Sequence, residues 1–462
     1  MKRRAFNMLA GSSTLAITAG IFGRAQAESV AASSLGPGLT PFGSELAGNA
    51  DGSIPAWVGG LTSMPSGLKS DKVAQELFPD EQPVVVIDKN NMAEHADMLP
   101  ETVKLMMSKY GFQIKVYPTR RTAAAPQYVY DNIAKNKTMA TFNSQDQIGG
   151  RFGFENAYGG IPFPIKDLSN PLTGGGQTIW NHNTIWRGYC MMAPSQSWVV
   201  SNGQPVMAYQ VANQWKFPYY DPNGSVATFD GRLQLQYDLF VGPANLVGQA
   251  DVLWSYTNPY AHPQQAWQLL NGQGRVRQAP QISFDTPSEE VFGVAGYDEF
   301  FGFCGSIERY DWKLIGKKEI YIPYNNNKLF GSNGTAALQG HFIDPDLVRW
   351  EKHRCWVVEA TLHPGERNVL AKRVCYMDED TGQIGVVDGY DGNMALYKAN
   401  FVYSYCQPEL PGVVCGANSV HNLQTDQYTV LNIPWDGLNF KYVDNIPDSR
   451  FDPNNLAASA QY

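Results

Sequence analysis

The stretch Arg232-Leu233-Gln234-Leu235-Gln236-Tyr237-Asp238-Leu239 alternates polar and apolar residues without a miss. A period of two marks a β-strand with one polar and one apolar face, because successive side chains leave opposite sides of the backbone. From Ser197 onward the same kind of pattern, punctuated by Gly and Pro, predicts further strands at 205–211, 251–257, 265–270, 310–323, 348–362, 367–378 and 383–389. Asn271-Gly272, His363-Pro364-Gly365 and Asp380-Thr381-Gly382 read as turns between neighbours. Consecutive strands joined by short turns pair antiparallel. The expected class is therefore mostly β (α+β): a large curved antiparallel sheet, or open half-barrel, around a hydrophobic cavity. Its apolar face needs a cover, which helices, an N-terminal arm or a bound apolar ligand could supply.

Helices are expected to be few. Apolar residues recur three and four apart between 88 and 111, with Pro100 opening a second turn, which predicts one or two helices. Another short helix is expected over 178–187, after a break at Gly174-Gly175-Gly176. The 44 glycines and 29 prolines are spread along all 462 residues, as many turns require.

The N-terminus reads as an export signal. Lys2-Arg3-Arg4 is the basic start, 6–22 the apolar stretch, and Ala25-Gln26-Ala27 a small-x-small cleavage site. Arg3-Arg4-Ala5-Phe6 also resembles a twin-arginine motif, so the general secretory and twin-arginine routes both stay open. The reading is a signal peptide over 1–27, an extended Gly-, Pro- and Ser-rich arm over 28–66, and one curved-sheet domain over 67–462 with helical insertions and a C-terminal extension. The expected location is the periplasm. The chain's net charge is −8 and its first 27 residues hold four basic residues and no acid. The remainder is more acidic still, which disfavours nucleic acid as a partner.

Six cysteines allow fifteen pairings. Cys355 and Cys375 lie at equal distance from Gly365, and Cys406 and Cys415 bracket Pro411-Gly412; these are the disulfide candidates, with Cys190 and Cys304 left over. No C-x-x-C spacing suggests a redox or zinc site.

Catalytic motifs do not emerge. There is no G-x-S-x-G, H-E-x-x-H, P-loop or G-x-G-x-x-G after a strand, and no two of the seven histidines have metal-ligand spacing. No catalytic residue, metal or cofactor is expected. Asp378-Glu379-Asp380-Thr381-Gly382 has the start of a calcium loop without its later acids, so a solvated hairpin turn is the preferred reading. Asp388 and Asp391 are expected to cap turns. In 348–356, alternation sets Trp350, Arg354 and Trp356 against Arg349, Glu351, His353 and Cys355, which cross-strand charge pairs would explain. Trp180, His182 and Arg187 form the one candidate ligand-binding group. There the guanidinium could hold a carboxylate or phosphate beside the indoles of Trp180 and Trp186; against that, Trp180 could be core and Arg187 paired with an acid.

Several segments carry a resemblance. They are Leu39-Thr40-Pro41-Phe42-Gly43 with Ala47-Gly48-Asn49-Ala50-Asp51-Gly52-Ser53-Ile54-Pro55-Ala56-Trp57, and Tyr117-Pro118-Thr119-Arg120-Arg121-Thr122-Ala123-Ala124-Ala125-Pro126. Further along come Gly159-Gly160-Ile161-Pro162-Phe163-Pro164 with Trp180-Asn181-His182, and Arg309-Tyr310-Asp311-Trp312-Lys313 running to Tyr321-Ile322-Pro323-Tyr324-Asn325. Asp346-Leu347-Val348-Arg349-Trp350-Glu351 and Arg373-Val374-Cys375-Tyr376-Met377-Asp378-Glu379-Asp380 complete the set. In this order they resemble the bacterial family catalogued as domain of unknown function 1329 (DUF1329). Cys355 and Cys375 stand where that family's pattern has apolar residues, which favours a disulfide peculiar to this branch.

The resemblance implies a fold similar to the LolA/LolB-type lipoprotein carriers. It also implies association with an inner-membrane exporter of the resistance-nodulation-division type and with an outer-membrane protein. The function expected from this is a periplasmic carrier or chaperone for a hydrophobic, lipid-like molecule, and not an enzyme. A structural adaptor without cargo is the alternative, and an exported enzyme with a bound cofactor a third.

Overall fold

A computed structural model describes residues 35–68, 74–143, 153–279, 284–434 and 440–460. The expected signal peptide, 1–27, lies outside the described residues. In chain order the elements are β1 (Val85–Ile87), α1 (Glu101–Tyr110), β2 (Ile114–Val116), α2 (Gln127–Met139), β3 (Thr141–Phe142), β4 (Phe154–Glu155) and α3 (Pro171–Asn183). Then follow β5 (Cys190–Ser201), β6 (Gln204–Lys216), β7 (Arg232–Gly242), β8 (Ala250–Tyr256), β9 (Gln265–Leu269) and β10 (Val276–Gln278). The last third holds β11 (Tyr310–Pro323), α4 (Asn327–Phe330), β12 (Trp350–Leu362), β13 (Lys372–Asp378), β14 (Ile384–Tyr390), β15 (Leu396–Gln407), β16 (Gly412–Asn422), β17 (Gln427–Pro434), β18 (Lys441–Val443) and α5 (Leu456–Ser459).

Sixteen strands form one open sheet, and β3 and β4 form a separate pair. Two antiparallel meanders make up most of the large sheet. One runs β11 to β17 in sequence order and the other β5 to β10, and they join where β17 pairs with β5. The later meander thus ends against the first strand of the earlier one. A parallel pairing of Trp350 with Val116 ties in β2 and β1. Among the described residues no helix is long and apolar enough to cross a membrane.

The predicted strands are present, with β1–β5, β10 and β15–β18 in addition. So are the helices before residue 111: a 3-10 turn over Met92–Met98, then α1 starting after Pro100. The capping expectation for Asp388 holds in an unexpected form. From β14, its carboxylate accepts Glu101 N–H and Thr102 N–H at 2.9 Å each, so it caps α1 across 286 residues of chain. Asp391 caps its own turn, accepting Asn393 N–H and Ala395 N–H.

Two expectations are corrected. The helix placed at 178–187 begins at Pro171 and ends at Asn183. Asn170 starts it by accepting the N–H groups of Leu172 and Thr173, and the three glycines lie inside it rather than breaking it. They form its contact face: a Cβ on Gly175 would lie 2.2 Å from the Trp312 carbonyl oxygen on β11. The disulfide candidates are the other correction, since all six cysteines are unpaired. Cys355 pairs with Asp378 and Cys375 with Val358, because the loop between β12 and β13 is not centred on Gly365. An offset of three residues puts the two thiols on opposite faces of the sheet. Cys406 opposes Val413 and Cys415 opposes Ser404, a diagonal relation rather than a facing one. Buried in this way, these four cysteines fill apolar positions as small hydrophobes.

The solvated turn expected at 378–382 is a hairpin turn, but a dry one. Asp378, Glu379 and Asp380 are buried. Arg121 donates to both Asp380 oxygens at 2.7 Å, Arg354 meets Glu379 at 3.2 Å, and His353 Nδ1 lies 3.0 Å from Asp378. His353 Nε2 meets Glu351 at 3.1 Å, and Glu351 pairs with Arg349. Charge pairing therefore accounts for the 348–356 alternation.

The faces of the β5–β9 half decide where a site can form. Leu235 and Tyr237 of β7, with Ala250 and Val252 of β8, pack under Ile446, Phe451 and Leu456 of the C-terminal segment. Trp254 Nε1 donates to the Phe451 carbonyl at 2.9 Å, fixing that cover. The apolar face is thus closed by the chain itself. The face bearing Gln234, Gln236 and Asp238 turns the other way, toward an internal cavity.

Candidate functional site: a cavity between sheet and cover

Residues 284–308 cross over the polar face of β6–β9 and enclose, with the end of α3, a cavity of about 270 Å³. This cover is fastened on its far side. Arg373 pairs with Asp298 and Lys398 with Glu299, each at 2.5 Å, and all four groups are buried. Asn400 and Asn418 both donate to the Glu299 carbonyl, at 2.6 and 3.1 Å. Phe300, Phe301 and Phe303 then reach the cavity together.

The cavity has two characters. Tyr209, Val211 and Trp215 of β6, Phe240 of β7 and Leu253 of β8 join the three phenylalanines as an aromatic and aliphatic wall. The floor is a polar ladder. Ser195 Oγ donates to Asn213 Oδ1 at 2.9 Å and Asn213 Nδ2 to Asp238 Oδ1 at 2.6 Å. Gln236 Nε2 donates to Asp238 Oδ2 at 2.7 Å, and Gln234 to Gln236 at 3.0 Å. Asp251 stands opposite Asp238 on the adjacent strand, and its Oδ1 is buried with no hydrogen-bond partner among the described residues. Burial raises the Asp238 carboxyl to about 7, against the pull of its amide donors. Burial, then the neighbouring Asp238, pushes Asp251 well above the carboxylate range. Glu290 of the cover accepts from Ser288 and Tyr297, both at 2.8 Å. The cavity expected from sequence was simply apolar; the one observed is amphipathic, because the apolar side of the decisive β7 stretch is spent on the C-terminal cover.

All three residues singled out from sequence border this cavity. Asn170 and the glycine contact with β11 set the direction of α3, whose last turn carries Trp180 and His182 inward. Trp180 is core-buried against Phe154, with ring centroids 5.2 Å apart. His182 Nδ1 accepts Ile384 N–H at 3.1 Å and Nε2 meets the Phe303 carbonyl at 3.1 Å. Burial, helped by nearby Arg187, lowers its pKa to about 3, so it is a neutral ring joining α3, the sheet and the cover. Arg187 differs. Its guanidinium lies 5.8 Å from the Phe217 ring centroid and 5.7 Å from that of Phe301, with no hydrogen bond or ion pair to any described residue. The residue is 8% exposed. The acid partner considered from sequence is therefore absent among the described residues.

Sequence reasoning did not single out Trp215, Phe240, Asp251 or the Phe300-Phe301-Gly302-Phe303 run. That aromatic run, outside any strand pattern, was the available signal.

Among the described residues one group of side chains has metal-like spacing: ligand atoms of His353, Asp378 and Asp380 lie within 4.8 Å of one another. Burial acts against its charge, but hydrogen bonds to Asp378 and Glu351 raise the His353 pKa to about 9. A protonated imidazole has no lone pair for a metal, and Asp380 is taken by Arg121. This is an ionic brace of the core.

Comparison with known proteins places the chain. A Pseudomonas aeruginosa protein described as uncharacterized is 34% identical over 416 residues, covering 87% of each chain. Among solved structures, a DUF1329 family protein from Desulfovibrio piger matches with 15% identity and a TM-score of 0.43, covering 62% of this chain and 99% of that one. A LolA superfamily protein from Nitrosomonas europaea matches with 10% identity and a TM-score of 0.36, covering 60% of this chain and 97% of that one. The model of the family described as Protein of unknown function (DUF1329) matches residues 86–457, and the chain belongs to that family.

Proposed function

We propose that this protein is a periplasmic carrier that holds a small, lipid-like hydrophobic molecule in the cavity under the 284–308 cover. The observation that carries this reading is the cavity itself. A wall of eight aromatic and aliphatic side chains surrounds about 270 Å³ inside a sheet whose other face is already covered. That space has room for a chain or ring system of an apolar guest. Binding would draw on about 25 cal/mol per Å² of apolar surface removed from water. Trp180, His182 and Arg187 are assigned to the binding wall, His182 by position alone. Signal-directed export over 1–27, an inner-membrane exporter and an outer-membrane protein as delivery partners belong to the same proposal. The basic start and apolar stretch at the N-terminus support the export step.

The test is extraction of protein purified from its own envelope fraction with organic solvent, followed by mass spectrometry. A single apolar compound near one equivalent is expected. Purified protein that yields no compound, and that also fails to bind short alkyl probes, would leave the adaptor reading in its place.

A further inference from the structure

This inference rests on the carrier reading and names the chemistry of its guest. A charge in a cavity wall is held there at a cost unless something compensates it. Arg187 is such a charge. A guanidinium in general keeps its charge, so burial is not relieved by loss of a proton. Arg187 is 8% exposed, lines the cavity, and has neither hydrogen bond nor ion pair to a described residue. The other buried arginines here are matched: Arg121 by Asp380, Arg349 by Glu351 and Glu81, Arg354 by Glu379, Arg373 by Asp298.

A second donor without a described acceptor packs on the same pair of rings. Trp215 also lines the cavity and packs on the same two rings, with its ring centroid 6.1 Å from Phe217 and 5.7 Å from Phe301. Its indole N–H is buried with no acceptor among the described residues. Two donors around one pair of phenylalanines, one of them permanently cationic, call for an acceptor that carries negative charge.

The acids of the same cavity do not reverse this. Asp238 has both oxygens engaged by Asn213 and Gln236, Glu290 is held by Ser288 and Tyr297, Asp298 is paired with Arg373, and burial holds the Glu308 carboxyl above its usual value. Asp251 can relieve its own burial by taking up a proton, an escape closed to Arg187.

We infer that the guest is an amphiphilic anion, its carboxylate or phosphate received by Arg187 with Trp215 as second donor, and its apolar part lodged among Phe240, Phe300, Phe301 and Leu253. Carboxylate and phosphate share the geometry that a guanidinium fork accepts, so probes of one chain length separate them from each other and from uncharged guests.

The experiment titrates the exported chain with octanoate, octyl phosphate, octanol and octylamine, reading tryptophan fluorescence and calorimetry. Octanoate or octyl phosphate is expected to bind at least tenfold tighter than octanol, with octylamine weakest; whichever of the two anions leads identifies the head group. Arg187→Gln should bring the anion-to-octanol ratio within about twofold, and Trp215→Phe should lower it about threefold, with melting curves showing that both variants fold. Equal binding of octanol and both anions, or preference for octylamine, overturns this inference and leaves the carrier reading standing. Failure of all four probes overturns both.

Discussion

His353 sits between two carboxylates in the core, and its ring is protonated where most histidines are neutral. A folded pKa of about 9 against 6.5 unfolded means that its contribution is fully present below pH 6.5 and is lost as pH rises through 9. A shift of that size corresponds to stability on the order of 3 kcal/mol. His182 and His421 act in the opposite sense. Burial lowers both to about 3, so their contribution is present above pH 6.5 and falls away below it. Below pH 6.5 the raised carboxyls of Asp238 and Asp251 work against these two histidines, so the clear change is on the alkaline side: urea midpoints should fall as pH rises from 6.5 toward 9. His353→Gln is expected to flatten that limb. A midpoint unchanged across that range would contradict the assignment. At this scale the sequence was uneven to read. Arg187 stood out because a guanidinium beside indoles is unusual. Asp380 was read as a wet turn, because its partner Arg121 is 259 residues away and no local pattern announces it.

At the scale of elements, α3 shows how a helix rich in glycine can be correct. Alanine normally favours a helix over glycine by about 1 kcal/mol. Here a methyl group at 175 would meet the backbone of Trp312, which cannot rotate away. Gly175→Ala should therefore destabilise the protein, by about 2 kcal/mol in denaturant unfolding as an overpacked contact. Gly392→Ala, where a methyl group would meet nothing within 4 Å, should be nearly neutral. The strands divide along similar lines. β7 and β8 alternate because their two faces meet different surroundings, so period two exposed them. Almost every position of β15, β16 and β17 is buried, on both faces. A strand dry on both sides has no alternation to display, and these three were missed for that reason.

For the whole molecule, order along the chain and order in the sheet differ, and only the first can be read locally. The β17–β5 junction joins segments more than 200 residues apart, and no turn signal marks it. The cover belongs to this scale too, since it is fastened to β13, β15 and β16 yet roofs β6–β9. Lys398→Met strands the buried Glu299 carboxylate and should cost about 3 kcal/mol in unfolding free energy. Adding Glu299→Gln, which removes that charge while keeping an acceptor for the Gly296 N–H, should recover more than half of the loss. A double variant no more stable than the single one would show that the pair itself does not hold the cover. The strand order runs from β1 to β10, with β11 branching off β12, instead of meeting itself. A sealed barrel has its radius dictated by how many strands it contains and how they are staggered. This architecture carries no such geometric lock, so its bore can widen or tighten by small changes of twist. A binding protein built this way can tolerate guests of graded size without remaking a single hydrogen bond between its strands.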